Sequence, residues 1–247
     1  MLNKTHTKYI QSLHHKKFRD ELGEFIAEGP KVVLELLDSR EFVCIYIVAL
    51  ENWVLANTKL LQKYPGPQII PVRDFVLEKI SMLSTPNNVL AVFKKKDDAV
   101  VPAQNKKVTL VLDGVQDPGN FGTIIRTADW FGVDTVVCSH ACADMYNPKV
   151  VQSTMGSLAR IKIFYTDLEL WLRQNPAIKK YAAVLEGTPF TELKKLDEAI
   201  IIIGSEGKGI TEGVAKLVNN KITIPRIGEA ESLNAAVAAG IILAQVC

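Results

Sequence analysis

"VTLVLDGVQDPGNFGTIIRTADWFGVDTVV", Val108 to Val137, sets two apolar runs on either side of a Pro-Gly-Asn turn and an amphipathic segment. The first run, "VTLVLD", is apolar at nearly every position, as in a parallel strand covered by helices on both faces. Pro118-Gly119-Asn120 suits the opening turn of a helix, and "DTVV" returns to strand chemistry, so the stretch reads as a βαβ unit. At about 100° per residue, Phe121, Ile124, Ile125, Ala128 and Phe131 share one helical face, while Gly122, Arg126 and Asp129 lie together opposite. Gly122, one turn before Arg126, predicts open surface beside the guanidinium. Asn120 can cap the helix or point into the same space. The plainer reading is a solvated Arg126–Asp129 ion pair at i,i+3 spacing, and the helix alone does not choose between the two.

The same alternation runs along the chain. "EFIAEG", "FVCIYIVAL", "PQIIPV" and "NVLAVF" read as strands, with helical "GPKVVLELLDS", "NWVLANTKLLQKY" and "DFVLEKI" between them. "KKKDDAVVPAQNK", residues 94–106, breaks the periodicity with charge, Pro, Gln and Asn and predicts a linker. The expected division is therefore 1–93, a linker at 94–106, and a three-layer α/β domain over 107–247.

At 247 residues, 48% hydrophobic and 23% charged, the chain has the composition of a soluble globular protein. Its net charge of +2 calls for no polyanionic partner globally. The basicity is local: residues 1–19 carry Lys4, Lys8, Lys16, Lys17 and Arg19 with no acid. That segment is read either as a phosphate-contacting surface or as a solvated, partly disordered tail. The four cysteines form no paired framework, and Cys138, His140 and Cys142 are too cramped for an ordinary zinc site, so no metal is expected. No apolar run reaches a membrane span and the first residues lack a signal-peptide core, so a cytoplasmic protein with reduced thiols is expected.

Two further loops carry chemistry. "IIIIGSEGKGI", residues 200–210, is a strand entering a turn with Gly204, Gly207 and Gly209, at the strand end where α/β sheets bind ligands. It lacks both the Walker A spacing and the dinucleotide fingerprint, and Glu206 would repel a pyrophosphate. "ITIPRIGEAESLNAAVAAGIILAQ", residues 222–245, is a strand, an irregular turn and a helix for which Ser232 is the expected N-cap, with Asn234 in the first turn.

Taken in order and spacing, "NFGTIIRTADWFGVDTVV", "IIIIGSEGKGI" and "IPRIGEAESLNAAVAAGIILAQ" resemble the three motifs of the SpoU (TrmH-like) RNA ribose 2′-O-methyltransferases of the SPOUT superfamily. "FRDELGEFIAEGPKVVLELL" and "STPNNVLAVF" resemble the substrate-binding domain, related to a ribosomal-protein fold, that precedes the catalytic domain in many members. Two positions depart from the family pattern: Arg226 replaces an apolar residue after Ile-Pro, and Ala235 stands where Val often follows Ser-Leu-Asn.

The resemblance implies an α/β catalytic domain with a deep trefoil knot, an exception to unknotted connections. It implies S-adenosyl-L-methionine as cofactor, held at Gly204, Ile224 and Leu233, with Leu185, Glu206, Gly207 and Pro225 around it. A homodimer whose site draws on both subunits is also implied. On the substrate side it implies Arg126 as the catalytic cation beside the ribose oxygen, with Asn120, Glu206, Ser232 and Asn234 completing the site. RNA is the implied partner, ribosomal RNA ahead of transfer RNA because of the N-terminal domain. The competing readings are a transfer-RNA 2′-O-methyltransferase, a catalytically idle RNA-binding relative, and an unrelated nucleotide enzyme. The idle relative should lack Arg126 or Asn234, and the nucleotide enzyme should carry a phosphate loop; the sequence fits neither.

Overall fold

The computed structural model describes residues 2–96 and 106–247. Most of the linker expected at 94–106 falls on 97–105, outside the described residues. The chain divides into two compact units, Met1–Asp97 with Tyr146–Ala159, and Asp98–Met145 with Arg160–Cys247.

The first unit opens with two helices, α1 (Lys4–Ser12) and α2 (Lys16–Leu22). Asn3 caps α1 by accepting from the His6 N–H at 2.8 Å, and Gly23 ends α2 in the left-handed region at φ 66°. The reading of the basic segment as a disordered tail does not hold: Ile10 and Leu13 are fully buried in the core with Ile26, Val48, Leu90 and Val92. Arg19 is withdrawn from the phosphate-contacting set as well, because it is buried and donates to the carbonyls of Leu13 and His14 at 3.0 and 2.9 Å.

There follow β1 (Glu24–Glu28), α3 (Pro30–Ser39), β2 (Cys44–Leu50), α4 (Glu51–Ala56), α5 (Thr58–Leu61), β3 (Gln68–Val72), α6 (Asp74–Ile80) and β4 (Val89–Lys94). The sheet order is β1-β4-β2-β3. Only β2 and β3 pair in parallel; β4 lies between β1 and β2, antiparallel to both. This half is thus not built of simple βαβ repeats. A strand buried on both faces reads as a continuous apolar run in either orientation, so the sequence of β4 could not reveal its direction. The segment Tyr146–Ala159 belongs to this unit, with α8 (Pro148–Ser153) lying against β1.

The second unit comprises β5 (Val108–Asp113), α7 (Pro118–Trp130), β6 (Thr135–Ser139), β7 (Lys162–Thr166), α9 (Leu168–Gln174), β8 (Lys180–Pro189), β9 (Ala199–Gly204), α10 (Glu212–Ala215), β10 (Asn220–Thr223) and α11 (Ala235–Val246). Its six strands run in the order β10-β8-β9-β5-β6-β7, every neighbouring pair parallel. The pairing of Leu112 with Ile203 and of Asp113 with Gly204 brings the carboxyl ends of β5 and β9 level. The loop before α7 and the loop after β9 therefore emerge side by side, where open α/β sheets place their ligands. The almost wholly apolar α11 packs against α7, and Ala235, Ala236 and Ala239 are buried.

Candidate active site

Asp117, not Asn120, is the N-cap of α7; its carboxylate accepts from the Asn120 N–H at 2.8 Å. The Asn120 side chain is thereby free to reach outward, and its Nδ2 donates to Oε1 of Glu206 at 2.5 Å. At the other end of the chain Asn234 caps α11, its Oδ1 accepting from the N–H groups of Ala236 and Val237 at 2.9 and 3.3 Å. Ser232, the expected cap, sits two residues earlier in an exposed loop. The peptide N–H donors fix the Asn234 amide so that Nδ2 faces the other way. It donates to Oδ1 of Asn120 and to Oε1 of Glu206, both at 2.9 Å. The Ala235 N–H adds a third donor to the same carboxylate oxygen at 3.3 Å. One residue from each of the three loops singled out in the sequence thus meets at a single oxygen.

Beside this junction lies a cavity of about 650 Å³, lined by Leu185, Gly204, Gly207, Ile224, Pro225 and Leu233, with Glu206 and Ser232 at its edge. All the residues expected around a cofactor therefore border one space, of a size usual for small-molecule cofactor sites. Gly204 is required by close approach, since a Cβ there would stand 2.3 Å from the Gly209 carbonyl carbon. That approach closes the turn, in which Ser205 and Gly209 exchange backbone hydrogen bonds at 3.0 and 2.9 Å.

Sequence reasoning missed Asp113. It is buried at the end of β5 and accepts from both the N–H and the hydroxyl of Thr211, at 2.8 and 2.7 Å, which fixes the far side of the glycine turn. An acid closing an apolar strand at its carboxyl end was the available signal. Thr223 and Ala238 were also missed as lining residues; they follow from the same strand end and helix. Arg226 and Lys208 put positive charge, and Glu231 negative charge, at the cavity border.

The structure does not bring Arg126 into that lining. It is exposed on α7, and the ion pair with Asp129 is not formed: Asp129 instead takes Arg160, with Nε and Nη2 at 2.9 and 2.8 Å from Oδ2. Gly122 is buried, so the open surface expected beside Arg126 is not at that glycine. α11 packs against α7, where a Cβ at Gly240 would stand 3.7 Å from Thr127 Cγ2.

Cys142, near the loop before α7, has its thiol pulled down to about 7, chiefly by its hydrogen bond with Cys138, with Ser139 and the N–H groups of Val115 and Gly114 acting in the same direction against burial. Cys138, fully buried, is pushed well up. Among the described residues no group of three or more His, Cys, Asp or Glu is arranged to hold a metal, and no helix is long and apolar enough to cross a membrane.

Residues 107–244 match the SpoU rRNA Methylase family, and residues 4–91 match an MRM3-like substrate binding domain. The chain belongs to the SpoU rRNA methylase family. Among its relatives is the 23S rRNA (guanosine(2553)-2′-O)-methyltransferase RlmP of Bacillus subtilis, 31% identical over 94% of this chain and 92% of that protein. A structure assigned to the TrmH family of RNA methyltransferases, from Porphyromonas gingivalis, superposes with a TM-score of 0.87 at 35% identity, covering 99% of this chain and 97% of that one. An AdoMet-bound rRNA methyltransferase from Sinorhizobium meliloti superposes with a TM-score of 0.86 at 29% identity, covering 98% and 95%. The junction of Asn120, Glu206 and Asn234 lies within the matched range and joins the three stretches that resemble the family's motifs.

Proposed function

We propose that this enzyme methylates a ribose 2′-hydroxyl of ribosomal RNA with S-adenosylmethionine as donor, as a cytoplasmic homodimer. The observation that carries the reading is the convergence of Asn120, Glu206 and Asn234 on one oxygen at the edge of an apolar cavity. The Bacillus subtilis relative acts on 23S rRNA and the Sinorhizobium meliloti relative binds AdoMet, which supports substrate and cofactor.

The residues present fit that cofactor. Leu185, Ile224 and Leu233 offer apolar contact to an adenosine, the peptide groups of the Gly204–Gly209 turn can approach it closely, and Arg226 and Glu231 offer both signs of charge to a zwitterionic tail. When bound, the cofactor supplies an electrophilic methyl group on a sulfonium. A ribose 2′-hydroxyl held there would gain negative charge on its oxygen as its proton passes to water or an RNA phosphate, and a fixed cation beside that oxygen would lower the barrier. We assign that role to Arg126, whose proton is held too tightly for it to act as a base. Glu206 holds Asn120 and Asn234 in register so that the substrate side of the site is preorganised, and Ser232 stands at its border. Because Arg126 is exposed and outside the cavity lining, we assign it to the cavity of the partner protomer. The C-terminal segment closing the cavity is assigned the family's knot.

Incubation with methyl-labelled S-adenosylmethionine and, separately, 23S rRNA, 16S rRNA and bulk transfer RNA tests this. Label in ribosomal RNA at an alkali-resistant 2′-O-methyl dinucleotide is expected. Label in transfer RNA alone would move the assignment to that substrate, and cofactor binding without transfer to any of the three would identify an idle relative.

A further inference from the structure

The first unit holds a second, smaller pocket. It is bounded by Thr5, His6 and Tyr9 of α1, Glu24 at the start of β1, and Ile45 and Tyr46 of β2, and encloses about 390 Å³. Three rings form its walls: His6 and Tyr9 each meet Tyr46 edge-on, with centroids 5.9 and 6.1 Å apart. Independently, the one buried side-chain nitrogen or oxygen among the described residues without a hydrogen-bond partner is Nδ1 of His6. Buried polar atoms are satisfied almost everywhere in folded proteins, so an orphan in a pocket wall marks where an outside group supplies the bond. The carboxylate of Glu24 accepts from the Tyr9 hydroxyl and forms no ion pair among the described residues, Lys94 being its neighbour across the β1–β4 pair. It therefore offers acceptor capacity to a neutral donor edge. Lys4 and Lys8 lie exposed on the same helix, one turn apart, and can meet phosphates.

We propose that this pocket takes one unstacked guanine of the RNA substrate. The aromatic walls contact its face, Glu24 accepts from its adjacent N1–H and N2–H groups, and His6 Nδ1 supplies the remaining hydrogen bond. Of the four bases only guanine presents two neighbouring donors to a carboxylate. The recognition lies wholly within the first unit and rests on the reading that RNA is the substrate.

The test uses the full-length enzyme and a set of hairpin RNAs identical except for one loop nucleotide, guanosine, inosine, adenosine or uridine. Wild-type enzyme is expected to bind the guanosine hairpin about tenfold more tightly than the adenosine or uridine hairpins, with inosine, lacking the N2 amino group, in between. Glu24→Gln is expected to abolish this ranking while amide-exchange protection across α1, β1 and β2 stays unchanged, which excludes unfolding of the first unit as the cause. On addition of the guanosine hairpin the ¹⁵N resonance of His6 Nδ1 should move, and with the uridine hairpin it should not. Equal affinity for all four hairpins, or a ranking that survives Glu24→Gln, overturns the guanine site while leaving the methyltransferase intact. Absence of binding to any hairpin overturns the RNA reading itself.

Discussion

Arg126→Ala removes the one cationic side chain of α7, and with it the charge assigned to the developing ribose oxyanion. Methyl transfer is expected to fall by on the order of 10²- to 10³-fold, with S-adenosylmethionine affinity near wild type, in single-turnover assays paired with calorimetry. Lysine should rescue poorly, because a point charge does not reproduce the forked guanidinium. Near-normal turnover in the alanine variant would return Arg126 to a solvated surface residue. At this scale the sequence was informative about which residues matter and silent about how they pair. Asn120, Glu206 and Asn234 stand out as polar positions beside glycines and helix starts, yet their meeting at one oxygen spans a sequence separation of 86 between the first two and of 28 between the last two. Cys142 gives a pH-dependent counterpart. With its thiol at about 7 against an ordinary 9.0, it should be alkylated by iodoacetamide with a rate rising through pH 7 and levelling near pH 8, while buried Cys138 stays unmodified. The native state favours the thiolate, so by linkage Cys142 contributes stability that is full above 9.0 and is lost as pH falls through 7. Cys138, held protonated, opposes this above 9.0. Peptide mapping after alkylation at several pH values checks it, and equal labelling of both thiols would refute the assignment.

Among the elements, β5 and β9 carry the site because their carboxyl ends are level and Asp113 ties one to the loop of the other. Asp113→Ala removes the buried acceptor of two hydrogen bonds and leaves the N–H and hydroxyl of the exposed Thr211 to water, at a cost of about 1–2 kcal/mol. Urea unfolding should show that loss together with weakened S-adenosylmethionine binding; unchanged binding would mean that the glycine turn holds its shape unaided. Glu206→Ala is expected to be milder in stability, because Glu206 and Asn234 are exposed and Asn120 is half-buried, so that water can replace the carboxylate, but severe in turnover. The helices α7 and α11 make the dimer prediction. Trp130 is 81% and Val237 49% exposed, an apolar outlay unusual for helices that also bury their inner faces. Trp130→Glu should yield a monomer in sedimentation that still binds S-adenosylmethionine and transfers no methyl, since Arg126 then serves no partner. How far elements were legible follows from their periodicity. The runs "VTLVLD" and "AIIIIG" and the amphipathic stretch after Pro118 declared β5, β9 and α7, whereas the direction of β4 is invisible to any pattern of side chains. The cap of α11 was misplaced by two residues because Ser232 and Asn234 are both good caps, and only the turn geometry selects between them.

For the whole molecule, the family boundary at residue 107 is not a folding boundary, because Tyr146–Ala159 belongs with the first unit although it lies deep in the catalytic sequence. Nothing in its composition marks this; "NPKVVQSTMGSLA" reads as one more helix of an α/β repeat. Val150, Val151 and Leu158 are each at most 2% exposed, and α8 contacts β1. A fragment of residues 107–247 would leave these side chains uncovered. At roughly 1.5–3 kcal/mol for each side chain, that forfeits on the order of 5 kcal/mol or more, comparable with the whole stability of many domains. Assigning RNA affinity to the first unit is therefore best tested in the intact chain, by Lys4→Glu, Lys8→Glu and Lys17→Glu together. The three exposed lysines are expected to lower RNA affinity and to reduce the slope of log K against log salt by about 2–3, leaving S-adenosylmethionine binding untouched. An unchanged slope would place the phosphate contacts in the second unit. The 107–247 fragment should then show its defect locally, as loss of amide-exchange protection over 146–159 and a tendency to aggregate that the full chain lacks. Wild-type protection over 146–159 in the fragment would mean that the segment is stable on its own and that the boundary at 107 is a true folding boundary after all.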